Sequence, residues 1–227
     1  MESTLLIADL WHTFSISGFD QHILQSVCLN IGRQQLVILR GPSGCGKTTL
    51  LTLISGMRSI QHGSIKIFGQ ELFQSPHAYR NRIRASIGLI FQSHRLIDFL
   101  SAEENIILAM DADVHGIPDQ DFKRSRARML LDQLSLHNHY DAMPSQLSGG
   151  QRQRVAIARA LSCDARFIIA DEPTASLDFS NAIHVMEILR SLVDQQGITI
   201  LMTTHDERLH VFADRILQIN NHKLTEI

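Results

Sequence analysis

The feature that most constrains the fold is a glycine-rich segment, residues 41–48, between a short apolar run and an amphipathic stretch. Residues 36–39 before it predict a buried strand, and residues 48–57 after it predict a helix. The segment fits the pattern GxxxxGK[ST], and its members are Gly41, Pro42, Ser43, Gly44, Cys45, Gly46, Lys47 and Thr48. In this context, the pattern is typical of a loop that wraps around phosphate groups.

The chemistry of this loop predicts a bound nucleoside triphosphate. Its backbone N–H groups point inward, and the N-terminus of the following helix adds a positive dipole. Lys47 is expected to reach the β- and γ-phosphates, Thr48 to offer its hydroxyl to Mg²⁺, and Thr49 to lie beside them. GTPases, small-molecule kinases and helicases share this loop, so other residues must decide the function.

The remaining pattern predicts an α/β fold. Apolar runs at residues 36–39, 87–91, 167–170 and 199–202 indicate buried parallel strands, and amphipathic stretches between them indicate helices. Residues 5–31 and 65–68 suggest short strands in a flanking antiparallel β-subdomain. An inserted helical subdomain is expected at about residues 93–163, within a single domain spanning residues 1–227.

Two adjacent carboxylates follow the predicted strand at residues 167–170. Asp171 and Glu172 are expected at the carboxyl end of the sheet, where ligands of parallel sheets bind. Asp171 suits coordination of Mg²⁺, and Glu172 can polarise the water that attacks a phosphate.

Two further polar side chains are expected at the same edge. His205 follows the strand at residues 199–202 and could hydrogen-bond the γ-phosphate or the attacking water. Gln92 follows the strand at residues 87–91, and its amide could orient water or bind Mg²⁺.

The composition of the chain indicates which kinds of partner and environment it is suited to. The chain has 21 Lys and Arg against 23 Asp and Glu, a net charge of −2, so nucleic acid is not favoured as a partner. Apolar runs fall short of the ~20 residues that span a bilayer. Without a signal sequence or a paired set among Cys28, Cys45 and Cys163, the chain is expected to be soluble in a reducing cytoplasm.

The deciding motif is Leu147-Ser148-Gly149-Gly150-Gln151, which precedes an apolar helical stretch. Together with the loop, Gln92, Asp171-Glu172 and His205 in this order, it closely resembles the ATP-binding subunits of ABC transporters. The resemblance covers the whole chain and implies a P-loop NTPase core that hydrolyses ATP with Mg²⁺. It also implies a homodimer closed by ATP, in which Ser148, Gly149, Gly150 and Gln151 bind the nucleotide held by the partner.

The resemblance assigns two more positions and a subgroup. Phe14 matches the aromatic residue that stacks on adenine, and Asp178 matches the D-loop aspartate. Residues 84–88 and 96–105 look like ATPases of the lipoprotein-release and macrolide-export class. Residues 58–63 and 99–102 look closer to DevA-type ATPases of a glycolipid exporter.

The same resemblance implies a separate integral membrane permease, with the chain peripheral on the inner face of the plasma membrane. The expected cargo is a lipid, a glycolipid or a related hydrophobic substrate, and the permease could reach a periplasmic adaptor. Its cytoplasmic helix is expected on an apolar cluster, made of His94, Leu96, Ile97, Phe99 and Leu100. The alternative is a soluble ABC ATPase with a regulatory, nucleic-acid or ribosome-associated role.

Overall fold

A computed structural model describes residues 3–16, 19–111 and 119–227. The larger of its two sheets has six strands in the order β10-β9-β3-β8-β7-β6. Strands β3, β6, β7, β8 and β9 run parallel, and β10 pairs antiparallel with β9 at the edge. Their bounds are Leu36–Arg40 for β3, Ile87–Ile90 for β6, Phe167–Ala170 for β7, Thr199–Thr203 for β8, Arg215–Asn220 for β9 and Lys223–Glu226 for β10.

The second sheet is antiparallel and has the order β2-β1-β4-β5. Two long strands dominate it, and their register shifts at several bulges, which bend the ribbon around the core. The bounds are Ser3–Ile16 for β1, Phe19–Gly32 for β2, His62–Ile67 for β4 and Gln70–Glu71 for β5.

Six α-helices lie in the described ranges, and side chains cap several of them. Asp119, Ser148 and Asp178 each accept a hydrogen bond from a backbone N–H in the first turn of the following helix. The helices are α1 Lys47–Ile54, α2 His77–Ala85, α3 Ala102–Asp111, α4 Gln120–Gln133, α5 Gly149–Leu161 and α6 Phe179–Gln196. None of the helices in these ranges is both long and apolar enough to cross a membrane.

The large sheet separates two hydrophobic cores. Leu36 and Ile38 pack on one face with α3, α4, α5 and α6, while Val37 and Leu39 pack on the other face with α1 and the antiparallel sheet. This alternation follows from the two-residue period of a strand, and both faces of β3 are therefore buried. Since both faces of the sheet are covered, the carboxyl ends of the parallel strands are where the predicted nucleotide site can form.

The predicted fold class is confirmed, including the parallel core, the antiparallel sheet and the helices between residues 102 and 161. The expectation of short strands in residues 5–31 was wrong, because β1 and β2 have 14 residues each. Strands β9 and β10 and helix α2 were not predicted. Helix α1 also ends earlier than expected, since Gly56 adopts φ 66° just after it.

Candidate active site

The loop between β3 and α1 forms a tight cradle. Gly46 adopts φ 108°, and a methyl group there would lie 2.8 Å from Cγ2 of Ile23, so only glycine fits. Lys47 begins α1 and is 7% exposed. Its Nζ donates hydrogen bonds to the carbonyls of Gly41 (2.7 Å) and Pro42 (3.1 Å), which hold the side chain along the loop and leave one N–H for a phosphate.

Oxygen donors cluster beside the cradle. The hydroxyl of Thr48 donates to Oδ2 of Asp171 (3.1 Å), and the hydroxyl of Thr203 donates to Oδ1 of the same carboxylate (2.8 Å). These hard ligands suit Mg²⁺, which prefers few protein oxygens together with water and substrate phosphates. In keeping with that, the described residues hold no group of three or more His, Cys, Asp or Glu arranged to bind a metal.

Glu172 lies next to the histidine at the end of β8. Its Oε1 is 3.0 Å from Nε2 of His205, although the two atoms are not aligned for a hydrogen bond. The Glu172 side chain is 12% exposed, and burial raises the pKa of its carboxyl, while His205 and Lys47 oppose that rise. A buried carboxylate with few hydrogen bonds of its own is suited to accept a proton from water.

A cavity of about 890 Å³ collects these groups. Among the predicted residues, it is lined by Phe14, Ser43, Gly44, Gly46, Lys47, Thr48, Thr49, Gln92, Asp171, Glu172 and His205. The structure therefore brings together side chains that are distant in the sequence. Gly41 and Pro42 do not line the cavity, but their carbonyls accept hydrogen bonds from Lys47. Cys45 is half-buried and lies within the loop next to Gly41.

Phe14 lies at the apolar end of the cavity, beside Ile23. The guanidinium of Arg58 sits 4.7 Å from the centre of the Phe14 ring, and the ring of His12 meets it edge-on. Phe14 lines the cavity and Arg58 does not, and an aromatic ring in the cavity wall is suited to stack on a base.

The predicted signature residues lie elsewhere. The side chain of Ser148 accepts from the N–H of Gln151 (3.2 Å), and Oε1 of Gln151 accepts from the N–H of Ser148 (2.8 Å). Gly150 approaches Asn181 so closely that a methyl group would lie 2.7 Å from Oδ1, and Gly149 lies over Leu177. Asp178, which caps α6, accepts from the N–H of the same Asn181. Ser148, Gly149, Gly150, Gln151 and Asp178 are not part of the cavity lining.

A second cavity, of about 540 Å³, opens between β6, α2, α3 and α5. We call it the arginine groove, because Arg84, Arg95 and Arg159 line it together with Asn81 and mostly apolar residues, and no Asp or Glu of the described residues lies in its wall. The predicted apolar cluster does not line this groove: His94 is buried, Leu96 packs on the core and Phe99 is 79% exposed. Burial thus differs among the members of the cluster, and the docking of a permease helix on them stays a prediction.

Two features of the site had not been singled out from the sequence. Thr203 is fully buried and links the carboxylate of Asp171 to the backbone of Glu172, because its hydroxyl also accepts from the N–H of Glu172 (2.9 Å). Arg208 donates hydrogen bonds from Nε and Nη2 to the two carboxylate oxygens of Asp206. Its Cζ lies 4.1 Å from the centre of the Phe179 ring, and all three residues line the cavity. Their signal was weak, since a threonine in a strand and an arginine in a loop are common in any protein.

The sequence of the chain is similar to those of known proteins. Residues 24–175 match the ABC transporter family. HrtA of Staphylococcus aureus, an ATP-binding protein named for hemin import, is 36% identical over 222 residues, 98% of this chain and 99% of that protein. An ABC transporter ATP-binding protein of Methanocaldococcus jannaschii, MJ1508, is 37% identical over 96% of both chains.

Solved structures agree with these relatives. The ATP-binding cassette MJ0796, solved as a dimer in a post-hydrolysis state with ADP and Pi, matches with a TM-score of 0.90 at 32% identity. The match covers 98% of this chain and 97% of that one. The protein cbiO1 of Clostridium perfringens, part of the ABC transporter complex cbiONQ, has a TM-score of 0.87 at 26% identity, covering 99% and 88%. The chain belongs to the ABC transporter family and is one of its ATP-hydrolysing cassettes.

Proposed function

We propose that two copies of the chain close around two ATP molecules, each copy completing the site of the other. The observation that carries this proposal is the position of residues 148–151, which cap helix α5 but do not line the cavity built by the described residues of their own chain. A glycine-rich helix N-terminus is a ready anion site, so it is suited to the γ-phosphate held by a partner. The dimeric state of the related cassette MJ0796 supports the same arrangement.

Within each site, hydrolysis is a transfer of the γ-phosphoryl group to water. The oxygen of water attacks phosphorus, the bond from phosphorus to the ADP oxygen breaks, and Glu172 takes the proton of the water. Lys47 binds the β- and γ-phosphates, and His205, 3.0 Å from Glu172, holds the γ-phosphate or the water. Mg²⁺, held by Thr48, Asp171 and Gln92, would neutralise the charge on the phosphates.

The second part of the proposal is a separate membrane permease whose cytoplasmic segment docks on the arginine groove and on Phe99. Among the described residues, the lining of the groove combines apolar walls with Arg84, Arg95 and Arg159 and includes no carboxylate, which favours an amphipathic segment carrying acidic residues. Phe99, 79% exposed and four residues after Arg95, adds an apolar anchor. The cassette would then work in the cytoplasm, on the inner face of the plasma membrane.

The proposed cargo is a hydrophobic or amphipathic molecule. Residues 58–63 and 84–88 resemble exporters of lipids, glycolipids and macrolides, and a relative is named for hemin import. Lipids and hemin share large apolar surfaces, so both fit this class. The choice among them, and any periplasmic adaptor, would be made by the permease.

Two substitutions test the closed dimer. We expect Glu172→Gln to bind ATP but hydrolyse it slowly, so that the protein elutes as a dimer in sizing chromatography with Mg-ATP. Lys47→Ala should fail at ATP binding and stay monomeric. Glu187→Gln, on the exposed side of α6, is the control and should hydrolyse ATP normally. An Glu172→Gln protein that binds ATP and remains monomeric at high concentration would contradict the proposal.

A further inference from the structure

The segment that follows β6 has an unusual backbone. His94 and Arg95 both adopt left-handed conformations, with φ of 59° and 50°. Side chains with a Cβ disfavour this region, so two such residues in a row require external support. Gln92, two residues before His94, lines the nucleotide cavity, and its position depends on how this segment is held.

The support comes from Arg159, near the end of helix α5. Its Nη2 donates to the carbonyl of His94 (2.7 Å), and its Nη1 donates to the carbonyl of Arg95 (2.5 Å). The planar guanidinium is suited to bind two neighbouring oxygens at once, which the point charge of a lysine cannot do. Arg159 is largely removed from water beside these two carbonyls. This burial, and to a lesser extent the charge of Arg95, lowers the pKa of its guanidinium.

Helix α5 is held in the same way at its other end. Nη1 of Arg152 donates to the carbonyls of Leu147 (2.5 Å) and Pro144 (3.3 Å), just before Ser148. One helix of 13 residues therefore connects the backbone after Gln92 with the backbone before Ser148.

We propose that Arg159 is a positioning residue, which keeps Gln92 in the nucleotide cavity by holding His94 and Arg95 in their left-handed conformations. The inference rests on the proposed role of Gln92 in hydrolysis. When Arg159 is lost, the two carbonyls lose their donor and the backbone relaxes, so Gln92 occupies its position in the cavity less often. The phosphate cradle is far along the chain and keeps its own hydrogen bonds, so ATP binding is retained.

The test measures kcat, KM for ATP and thermal melting of the purified full chain. We expect Arg159→Gln to lower kcat about 10- to 100-fold, the cost of losing hydrogen bonds from a charged group, while KM changes less than about threefold. Arg159→Lys should lose most of the same activity. The control is Arg126→Gln, an arginine of α4 that pairs with exposed Asp164, and it should keep its kcat.

A rescue experiment separates positioning from packing. Arg95 is exposed, and Arg95→Gly removes the strain at position 95, one of the two left-handed residues, because glycine adopts positive φ without support. We expect Arg159→Gln combined with Arg95→Gly to regain several-fold of the lost kcat. Equal or greater loss in the double variant would overturn the proposal, because a packing defect is not repaired by glycine at position 95.

Three other outcomes also decide between the proposals. If Arg159→Gln does not fold, Arg159→Lys carries the test, and normal kcat in that variant would overturn the proposal. If Glu172→Gln is inactive while Arg159→Gln has normal kcat, the positioning role fails and the proposed function stands. If Glu172→Gln hydrolyses ATP normally, the proposed catalytic function itself fails.

Discussion

At the scale of single residues, the buried hydroxyl of Thr203 joins the carboxylate of Asp171 to the backbone of Glu172. It donates to Asp171 and accepts from the backbone of Glu172, and both groups are proposed to act on the same phosphate. Hydrogen bonds to charged groups are worth about 1.5–3 kcal/mol, which is enough to affect the rate strongly.

We expect Thr203→Val, which keeps the shape and removes the hydroxyl, to lower kcat about 10- to 100-fold and to raise the Mg²⁺ concentration required for half-maximal hydrolysis. Steady-state ATPase assays across Mg²⁺ concentrations check this. Thr199→Val, a buried threonine at the opposite end of β8, is the control and should leave kcat unchanged. Equal rates for Thr203→Val and wild type would remove the linking role.

The buried carboxyl of Glu172 predicts an effect of pH on stability. Its pKa is raised by burial, so the native chain binds this proton more tightly than the unfolded chain does. The stabilisation is present at low pH and is lost as pH rises from the ordinary glutamate range through the raised pKa. We therefore expect Glu172→Gln to melt at higher temperature than wild type at neutral pH.

The difference in melting temperature should shrink as the pH falls below the ordinary glutamate range, where wild type is protonated too. Melting curves from acid to neutral pH measure it. Glu187→Gln, whose carboxyl is 61% exposed, should show no such pH-dependent difference. A stabilisation by Glu172→Gln that is constant with pH would contradict the role of the buried charge.

At the scale of helices and strands, close packing fixes α5 against the sheet. Gly88 in β6 faces the carbonyl of Ala160, and a methyl group there would lie 2.6 Å from that oxygen. Because a backbone carbonyl cannot rotate away like a side chain, α5 would have to shift. This shift would also disturb Arg159 and Ser148, which α5 and its cap carry.

We expect Gly88→Ala to lower the free energy of unfolding by about 1–3 kcal/mol through overpacking. Urea unfolding followed by circular dichroism measures this value. Gly32→Ala is the control, since its nearest neighbour is the flexible side chain of Gln35 at 3.6 Å, and it should be nearly neutral. A stable Gly88→Ala protein would mean that α5 moves freely on the sheet.

The sequence predicted the central elements well and the peripheral ones poorly. Strands β3, β7 and β8 were recognisable because strands buried on both faces are continuous apolar runs of four or five residues. Helix α2 has the sequence HAYRNRIRA, in which four of nine residues, His77, Arg80, Arg82 and Arg84, are His or Arg and hide its apolar period. Strand β10 lies at the edge of the sheet and has three exposed residues and one half-buried residue, Leu224, so it lacks the apolar run of a buried strand.

The site likewise contains residues that the sequence predicted and contacts that it did not. Motif residues such as Lys47, Asp171 and His205 could be placed at one sheet edge, because parallel strands deliver their following residues there. Contacts such as Arg159 to the carbonyls of His94 and Arg95 depend on tertiary packing between segments about 65 residues apart. No local pattern in the sequence encodes such a contact.

At the scale of the whole molecule, the arginine groove and Phe99 define the proposed docking surface for the permease. Arg84 lines the groove, whereas Arg82 lies on the same helix, exposed and outside it. Phe99 is exposed four residues after the groove residue Arg95, and Phe122 is 56% exposed on α4. These two pairs allow charge and apolar contact to be tested with matched controls.

We expect Arg84→Glu and Phe99→Asp to abolish sedimentation of the cassette with membrane vesicles that contain the permease, because they reverse a charge and remove an apolar anchor. Both variants should still bind ATP, and Arg82→Glu and Phe122→Asp should sediment like wild type. Vesicles of anionic lipid without permease distinguish protein docking from simple attraction to a charged surface. Binding to those vesicles that Arg82→Glu and Arg84→Glu weaken equally would assign the arginines to lipid and contradict the docking surface.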